Sequence, residues 1–158
     1  MSQHFFSLEG RLLAALAALL TASLSPNIAA AALGEAETSI QGDVSKFRGT
    51  VNSIEHVTYR VHEISLPSGT VVREFVTQSG AVFAVAWRGP TMPNLRQALG
   101  AYFDSYVAAA KVAPINSRRV DIARTDLVVH AMGHMRSFSG TAYVPAVVPV
   151  GVSVGELQ

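Results

Sequence analysis

Three short runs of β-branched and aromatic residues dominate the hydrophobic pattern in the middle of the chain. They cover Tyr59–Leu66, Val71–Gln78 and Val82–Trp87, and their composition suits a pleated, half-buried strand. Turn-forming residues separate the runs, Pro67-Ser68-Gly69 after the first and Ser79-Gly80 after the second. The pattern therefore predicts an antiparallel meander of three strands.

Charge pairing selects the register of the first predicted hairpin. A three-residue loop places Glu63 opposite Arg73 and His62 opposite Glu74. A four-residue loop would instead place Glu63 against Glu74. Opposite charges that face each other across two strands stabilise the pair by roughly 0.2–1 kcal/mol, whereas like charges destabilise it. We therefore predict the three-residue loop, and we interpret Glu63 and Glu74 as structural residues rather than a catalytic carboxylate pair.

A two-residue second turn then decides which side chains share a face of the sheet, with Val76 opposite Phe83. The first predicted face carries Ile64, Leu66, Val72, Val76, Phe83, Val85 and Trp87. The second carries Tyr59, Val61, Phe75, Val82, Ala84 and Ala86. Both sets are largely apolar, so we expect both faces to be covered.

A stripe with helical spacing follows the third strand. Its apolar members are Leu95, Leu99, Tyr102, Phe103, Tyr106 and Val107. The spacing predicts an amphipathic helix over Pro93–Lys111, with Pro93 in the first turn, where its missing N–H is tolerated. We expect this helix to pack on the face that bears Phe83, Val85 and Trp87.

The remaining segments complete the predicted fold class. Glu35–Arg48 has the spacing of a short N-terminal helix, and Thr50–Val57 is ambiguous. Further strands are predicted over Arg118–Arg124, Leu127–Met132 and Arg136–Val144, with a turn at Gly133-His134. We predict an α+β domain: an antiparallel sheet of about five or six strands, one long helix on a face and a short N-terminal helix. The apolar tail from Pro145 to Val154 is expected to dock as an edge or irregular segment.

The beginning of the chain has the pattern of a secretory signal peptide. Arg11 precedes an apolar run over Leu12–Leu20, and small residues follow up to Ala31. The alternative, a membrane anchor, is disfavoured because the apolar run is shorter than the ~20 residues of a span. We predict a signal peptide over residues 1–31, cleavage after Ala31, one globular domain over 32–158, and a periplasmic or secreted location.

Composition narrows the classes of partner. The chain has no Cys, so it has neither disulfides nor the lipidated cysteine of a lipoprotein. Twelve basic and eleven acidic residues leave a formal net charge of +1, which disfavours nucleic acid as a partner. We expect no stable membrane span after cleavage. Partners that fit are another envelope protein or a small anionic ligand.

Three strings of residues resemble one known family. They are YRVHEISLPSGTVVREFV from Tyr59, VFAVAW from Val82 and GHMRSFSGTAYVP from Gly133. They are similar to the domain of unknown function 2844 family, small exported proteins of Gram-negative bacteria. The resemblance covers most of the chain after residue 31. It implies export and one compact domain, and it brings no activity.

Catalytic and metal motifs are weak. His130 and His134 have H-x-x-x-H spacing, but they fall in a predicted strand and turn and lack a third ligand, so ordinary structural histidines are favoured over a metal site. No serine stands in G-x-S-x-G. The chain also lacks a phosphate-binding glycine loop and a dinucleotide fingerprint, so we predict no cofactor.

The Arg88–Pro93 loop is the best binding segment that the sequence offers. It joins the third strand to the long helix and carries two prolines, and loops on a rigid scaffold often hold ligands. The helix N-terminus behind it favours an anionic group. The predicted ligand-binding residues are Trp87, Arg88, Thr91, Asn94 and Arg96. The plainer interpretation, with Trp87 in the core and solvated arginines, is favoured over this one.

Two functions from different classes stay open at this point. The favoured one is a non-enzymatic exported module that binds a partner or a small ligand. The alternative is a hydrolase whose site is assembled only in three dimensions. A pocket that holds a His with a carboxylate and a hydroxyl within hydrogen-bond reach would favour the hydrolase.

Overall fold

The computed structural model describes residues 32–36, 49–112 and 118–157. The predicted signal segment lies outside these residues, as does all but the first two residues of the predicted helix Glu35–Arg48. The strands are β1 Thr50–Glu55, β2 Tyr59–Ser65, β3 Val71–Thr77, β4 Val82–Gly89, β5 Arg119–Ala123, β6 Val128–His134 and β7 Ser137–Tyr143. The helical segments are α1 Leu95–Leu99, a 3-10 turn Gly100–Tyr102 and α2 Phe103–Val112.

The seven strands form one sheet in the order β1-β2-β3-β4-β7-β6-β5, and every neighbouring pair is antiparallel. This confirms the predicted α+β class and the antiparallel sheet. The sheet has one strand more than expected because the ambiguous stretch after Gly49 forms β1 at its edge. Within the described ranges, no helix is long and apolar enough to cross a membrane.

The predicted register of the first hairpin is confirmed. Glu63 faces Arg73 and His62 faces Glu74. The guanidinium Nε of Arg73 donates to a carboxylate oxygen of Glu63 at 2.8 Å. Gly69 adopts φ +84° in the three-residue loop, a conformation that glycine reaches without steric cost.

The second turn differs from the prediction. Thr77 N–H donates to the Ala81 carbonyl at 2.9 Å, which leaves a three-residue loop, and a bulge follows. Val76 therefore faces Val82, not Phe83. Phe83 packs on the sheet face that was predicted for Val82, and Val82 packs on the face that was predicted for Phe83. A bulge inserts one residue, so the side chains after it point to the opposite faces of the sheet. Because both faces are apolar here, the sequence pattern does not reveal this change.

The long helix begins at Leu95 and ends at Val112, close to the predicted Pro93–Lys111. Asn94 caps it, since its side chain accepts a hydrogen bond from Gln97 N–H at 3.3 Å. The helix packs on the face that bears Val85 and Trp87, as predicted, but Phe83 is not part of that face. We call it the helix-side face, and its core also holds Ile64, Val72, Val76, Val82, Leu95, Leu99, Val129, Ala131 and Ala142.

The other face, here the tail-side face, is partly covered by the C-terminal tail. Its core comprises Val61, Phe75, Phe83, Ala84, Ala86 and Leu157, with Val147, Val148 and Val152 packed against them. The tail docks as an irregular segment with two short 3-10 turns, which confirms one of the two expected arrangements. The hairpin of β6 and β7 turns at Met135-Arg136, so Gly133 and His134 are strand residues and not the predicted turn.

Candidate functional site

The register of the sheet places two rows of side chains side by side on the tail-side face. Because side chains of a strand alternate between faces, directly paired residues share one face. The first row crosses the sheet as Arg73, Ala86, Thr141, His130 and Asp121. The second crosses it as Val71, Arg88, Ser139, Met132 and Arg119.

These two rows form a groove of about 240 Å³, which we call the basic groove. Its lining comprises Val71, Arg73, Ala86, Arg88, Arg119, His130, Met132, Ser139 and Thr141, with Trp87, Ala131 and Gly140 in the strands beneath. Ala86, Ser139 and Thr141 supply short side chains, and the longer side chains of Arg73, Arg88, His130 and Met132 stand next to them.

Two of the three arginines in the groove are already paired with carboxylates. Arg73 bonds to Glu63 at 2.8 Å, and Arg119 lies 2.6 Å from Asp121. Arg88 is exposed, and its side chain makes no hydrogen bond, ion pair or ring contact within the described part of the chain. Among the three arginines, Arg88 is therefore the one whose guanidinium is available to a ligand.

His130 and Asp121 form a hydrogen-bonded pair at the same groove. His130 Nδ1 lies 2.9 Å from Asp121 Oδ1. This hydrogen bond is the main cause that lowers the pKa of the Asp121 carboxyl, and Arg119 lowers it further. An ionised carboxylate only accepts, so Nδ1 carries the proton and Nε2 is left for another partner.

The predicted loop residues are not brought together in one site. Trp87 and Arg88 line the basic groove, but the Trp87 ring is 2% exposed and packs in the helix-side core. The hydroxyl of Thr91 lies 2.9 Å from that of buried Thr70. Asn94 caps the helix. The guanidinium of Arg96 stacks 4.3 Å from the centre of the Phe103 ring. Ligand binding by these residues stays a prediction, and Arg88 is the one that offers a charge to the groove.

The two histidines of the H-x-x-x-H motif lie apart. Both belong to β6, where four residues span roughly 13 Å, and they line different cavities. His134 borders a cavity of about 440 Å³ that is lined mainly by apolar side chains, among them Met92, Tyr106 and Phe138. Within residues 32–36, 49–112 and 118–157, no three His, Cys, Asp or Glu residues cluster as metal ligands would.

His62 also has polar neighbours, and these lie on the helix-side face. Ser53, His62 and Glu74 follow one another across β1, β2 and β3. The Ser53 hydroxyl lies 2.8 Å from His62 Nδ1. None of the three residues lines the basic groove or the cavity beside His134. The sequence did not single out Ser53, because the secondary structure of its segment was ambiguous.

Sequence reasoning also missed most of the basic groove. Arg73, Arg119, Ser139 and Thr141 meet there only because β4 pairs with β7, although a long stretch of sequence separates these two strands. The available signal was weak. Polar side chains stand at alternating positions of strands that are otherwise apolar, and such positions mark a solvated face.

The fold and the groove together define a class: an α+β domain whose seven-stranded antiparallel sheet carries a basic groove on one face. The chain matches the family model described as Protein of unknown function (DUF2844) over residues 29–157, and it belongs to that family. This confirms the resemblance that the three sequence strings carry. No curated protein and no solved structure matches the chain.

Proposed function

We propose that this protein is an exported, non-enzymatic binding module that holds a carboxylate or phosphate group in the basic groove. The observation that carries the proposal is Arg88, an exposed guanidinium that makes no ion pair within the described part of the chain. It stands in a groove that two further arginines and His130 also line. Unlike Arg73 and Arg119, it has a full set of donors to offer.

The chemistry of the guanidinium defines the ligand class. Its planar fork of N–H donors matches the two oxygens of a carboxylate or phosphate, and such charge-assisted pairs are the strong hydrogen bonds of proteins. Ser139, directly opposite Arg88, adds a hydroxyl. The Thr141 hydroxyl is already committed, since it donates to the Leu157 carbonyl at 2.9 Å.

The size of the groove limits how much of a ligand it can enclose. Its volume of about 240 Å³ is below the ~300–1,000 Å³ of pockets that bury drug-sized ligands. It therefore suits a small anion or the acidic end of a larger partner, such as a side chain of another envelope protein. Met132 and Val71 provide apolar contacts next to the charge.

Isothermal titration calorimetry with inorganic phosphate and with citrate tests the proposal at low ionic strength. Arg88→Ala should weaken binding about tenfold or more, which corresponds to ~1.4 kcal/mol. Arg124→Ala is the matched control: it removes the same charge from an exposed arginine that pairs with Asp126 at 2.9 Å outside the groove. Equal affinity in wild type and Arg88→Ala, or equal losses in both variants, would reject a specific groove.

The export part of the proposal rests on the signal-like pattern that ends at Ala31. Under this proposal the mature protein lies in the periplasm or outside the cell. Mass spectrometry of the envelope and secreted fractions should find a mature N-terminus near Ala32. An intact Met1 in the envelope fraction would instead support a membrane anchor.

One observation favours a second candidate function, a hydrolase. The Asp121–His130 pair resembles the orienting half of a general base, and its histidine lines the groove with Ser139 and Thr141. Against it, the Thr141 hydroxyl is engaged by the tail. Hydrolysis of p-nitrophenyl acetate or p-nitrophenyl phosphate that disappears in His130→Ala, with the fold retained, would favour the hydrolase. Equal rates in both proteins would remove it.

A further inference from the structure

Residues Ala32 to Ala36 form a short segment that is hydrogen-bonded to the helix and to β4. Leu33 N–H donates to the Ala98 carbonyl at 3.1 Å, and Gly34 N–H donates to the Val82 carbonyl at 2.8 Å. Val82 N–H returns a bond to the Glu35 carbonyl at 2.9 Å. Ala32 and Leu33 are each 1% exposed. The residue that follows the predicted cleavage site is thus an integral part of the fold.

The long helix is interrupted where it meets this segment. Gly100 adopts φ +49° between α1 and α2, a left-handed conformation that side chains other than glycine rarely tolerate. A Cβ atom at Gly100 would collide with the Cβ of Ala32. The glycine therefore leaves the space into which Ala32 packs.

The carboxylate of Glu35 lies near Gly100 and Ala32. Its Oε2 atom is buried and has no hydrogen-bond partner among the described residues. Its Oε1 atom lies 3.6 Å from the position of the missing Gly100 Cβ, and the Cα of Ala32 lies 3.7 Å from that position. A turn closed by the hydrogen bond from Glu35 N–H to the Ala32 carbonyl, at 2.8 Å, holds the two residues together.

A buried carboxylate oxygen without a partner is unfavourable, because it has lost water and gained no donor. None of the described residues forms an ion pair with Glu35, but processing of the chain would create a cation next to it. Hydrolysis of the Ala31–Ala32 peptide bond adds the hydroxyl of water to the Ala31 carbonyl carbon and its proton to the Ala32 nitrogen. The free amine then takes up a proton from solvent near neutral pH.

We propose that Glu35 is the acceptor for the α-ammonium group that signal cleavage creates on Ala32, so that processing completes the ion pair at the Gly100 break of the helix. This rests on the export that is part of the proposed function. Before cleavage the Ala32 nitrogen is a neutral amide with one N–H. After cleavage it carries a positive charge and three donors on an atom bonded to the Cα beside Glu35.

Three purified chains test the pair without relying on export. The first begins at Ala32, the second begins at Ala29 and keeps the three preceding alanines, and the third begins at Ala32 and carries Glu35→Gln. A fusion that is removed without leaving a residue produces each N-terminus. Glu156→Gln in the first chain is the control, because Glu156 is an exposed carboxylate near the other terminus.

Titration of the α-amino group, followed by NMR of Ala32 or by its reactivity toward an amine reagent, gives the first readout. Its pKa in the Ala32 chain should exceed that in Glu35→Gln by about one pH unit, since a nearby carboxylate favours the charged amine. Glu156→Gln should leave it unchanged. Equal values in the Ala32 chain and Glu35→Gln would overturn the proposal.

Unfolding by denaturant gives a second readout that keeps Glu35 intact. The chain that begins at Ala32 should have an unfolding equilibrium constant about tenfold smaller than the chain that begins at Ala29, the scale of a charged hydrogen bond. Equal stabilities would overturn the pair even if Glu35→Gln failed to fold. A native mature N-terminus at Leu33 or beyond would also overturn it, whether or not the basic groove binds anions.

Discussion

The two faces of the sheet are built from the same strands, and they differ in what their side chains meet. Trp87 and Arg88 are neighbours in the sequence, yet the Trp87 ring is buried under the helix while Arg88 is exposed in the basic groove. Along β6, Val129 and Ala131 are buried, whereas His130 and Met132 are exposed. The helix-side face therefore supplies stability, and the exposed half of the tail-side face is free to carry polar chemistry.

The largest expected effect comes from Trp87 on the helix-side face. Trp87→Ala should lower the free energy of unfolding by about 3–5 kcal/mol, because it opens a cavity in the core. Trp87→Phe is the matched control and should cost less than about 1.5 kcal/mol, since it keeps an aromatic ring. It also removes an indole N–H that has no acceptor within the described ranges. Equal losses in the two variants, measured by denaturant unfolding, would contradict the assigned packing.

Gly140, on the strand β7 that pairs with β4, provides a second test of how the Trp87 ring packs. It lies opposite Trp87, and a Cβ there would come within 2.7 Å of Cε2 and 2.8 Å of Cη2 of the indole. Gly140→Ala should therefore cost about 1–3 kcal/mol through overpacking. In Gly155→Ala the new methyl group meets only the Ser153 hydroxyl, at 3.7 Å. If the two variants unfold at the same denaturant concentration, the indole does not lie across Gly140.

Substitution of Thr70 tests whether Thr91, in the loop between β4 and α1, has a structural role. Fully buried Thr70 donates its hydroxyl to the Thr91 carbonyl at 2.8 Å and accepts from Thr91 N–H at 3.2 Å. Thr70→Val should cost about 1 kcal/mol through the loss of these bonds. Thr125→Val, in the exposed turn between β5 and β6, should stay within about 0.5 kcal/mol of wild type. A Thr70→Val variant as stable as wild type would contradict the structural role of these hydrogen bonds.

The smallest expected effect concerns Asp121 at the rim of the groove. The hydrogen bond from His130, with help from Arg119, lowers the pKa of this carboxyl in the folded state. Its contribution to stability is therefore present above the unfolded-state pKa of about 3.9, and it is lost as pH falls through the lower folded-state value. Thermal unfolding of wild type and Asp121→Asn should differ near neutral pH and converge in acid. A difference that does not change with pH would contradict the assigned pairing.

Much of the fold could be predicted because local signals agreed with the final structure. The charges of Glu63 and Arg73 defined the first hairpin, and the spacing of Leu95, Leu99 and Tyr106 defined the helix. The reversal at Phe83 could not be predicted, since a bulge changes no residue type and both of its alternative positions are apolar.

The basic groove could not be predicted from the sequence for a different reason. Arg88 was singled out as a loop residue, but its neighbours in space come from β3, β5, β6 and β7. Which strands lie next to β4 is decided by long-range pairing, and no local pattern states it. Thr91 and Asn94 were predicted as ligand donors, and the sequence pattern did not show that they also make structural hydrogen bonds with Thr70 and Gln97.

An NMR titration with inorganic phosphate shows directly whether an anion binds in the basic groove. Backbone amide resonances at Arg88, Met132 and Ser139 in the basic groove should shift, and these shifts should be lost in Arg88→Ala with the rest of the spectrum unchanged. The stability of that variant should stay within about 0.5 kcal/mol of wild type. Shifts confined to Asn94 and Arg96 at the start of the helix, or shifts that persist in Arg88→Ala, would contradict binding in this groove.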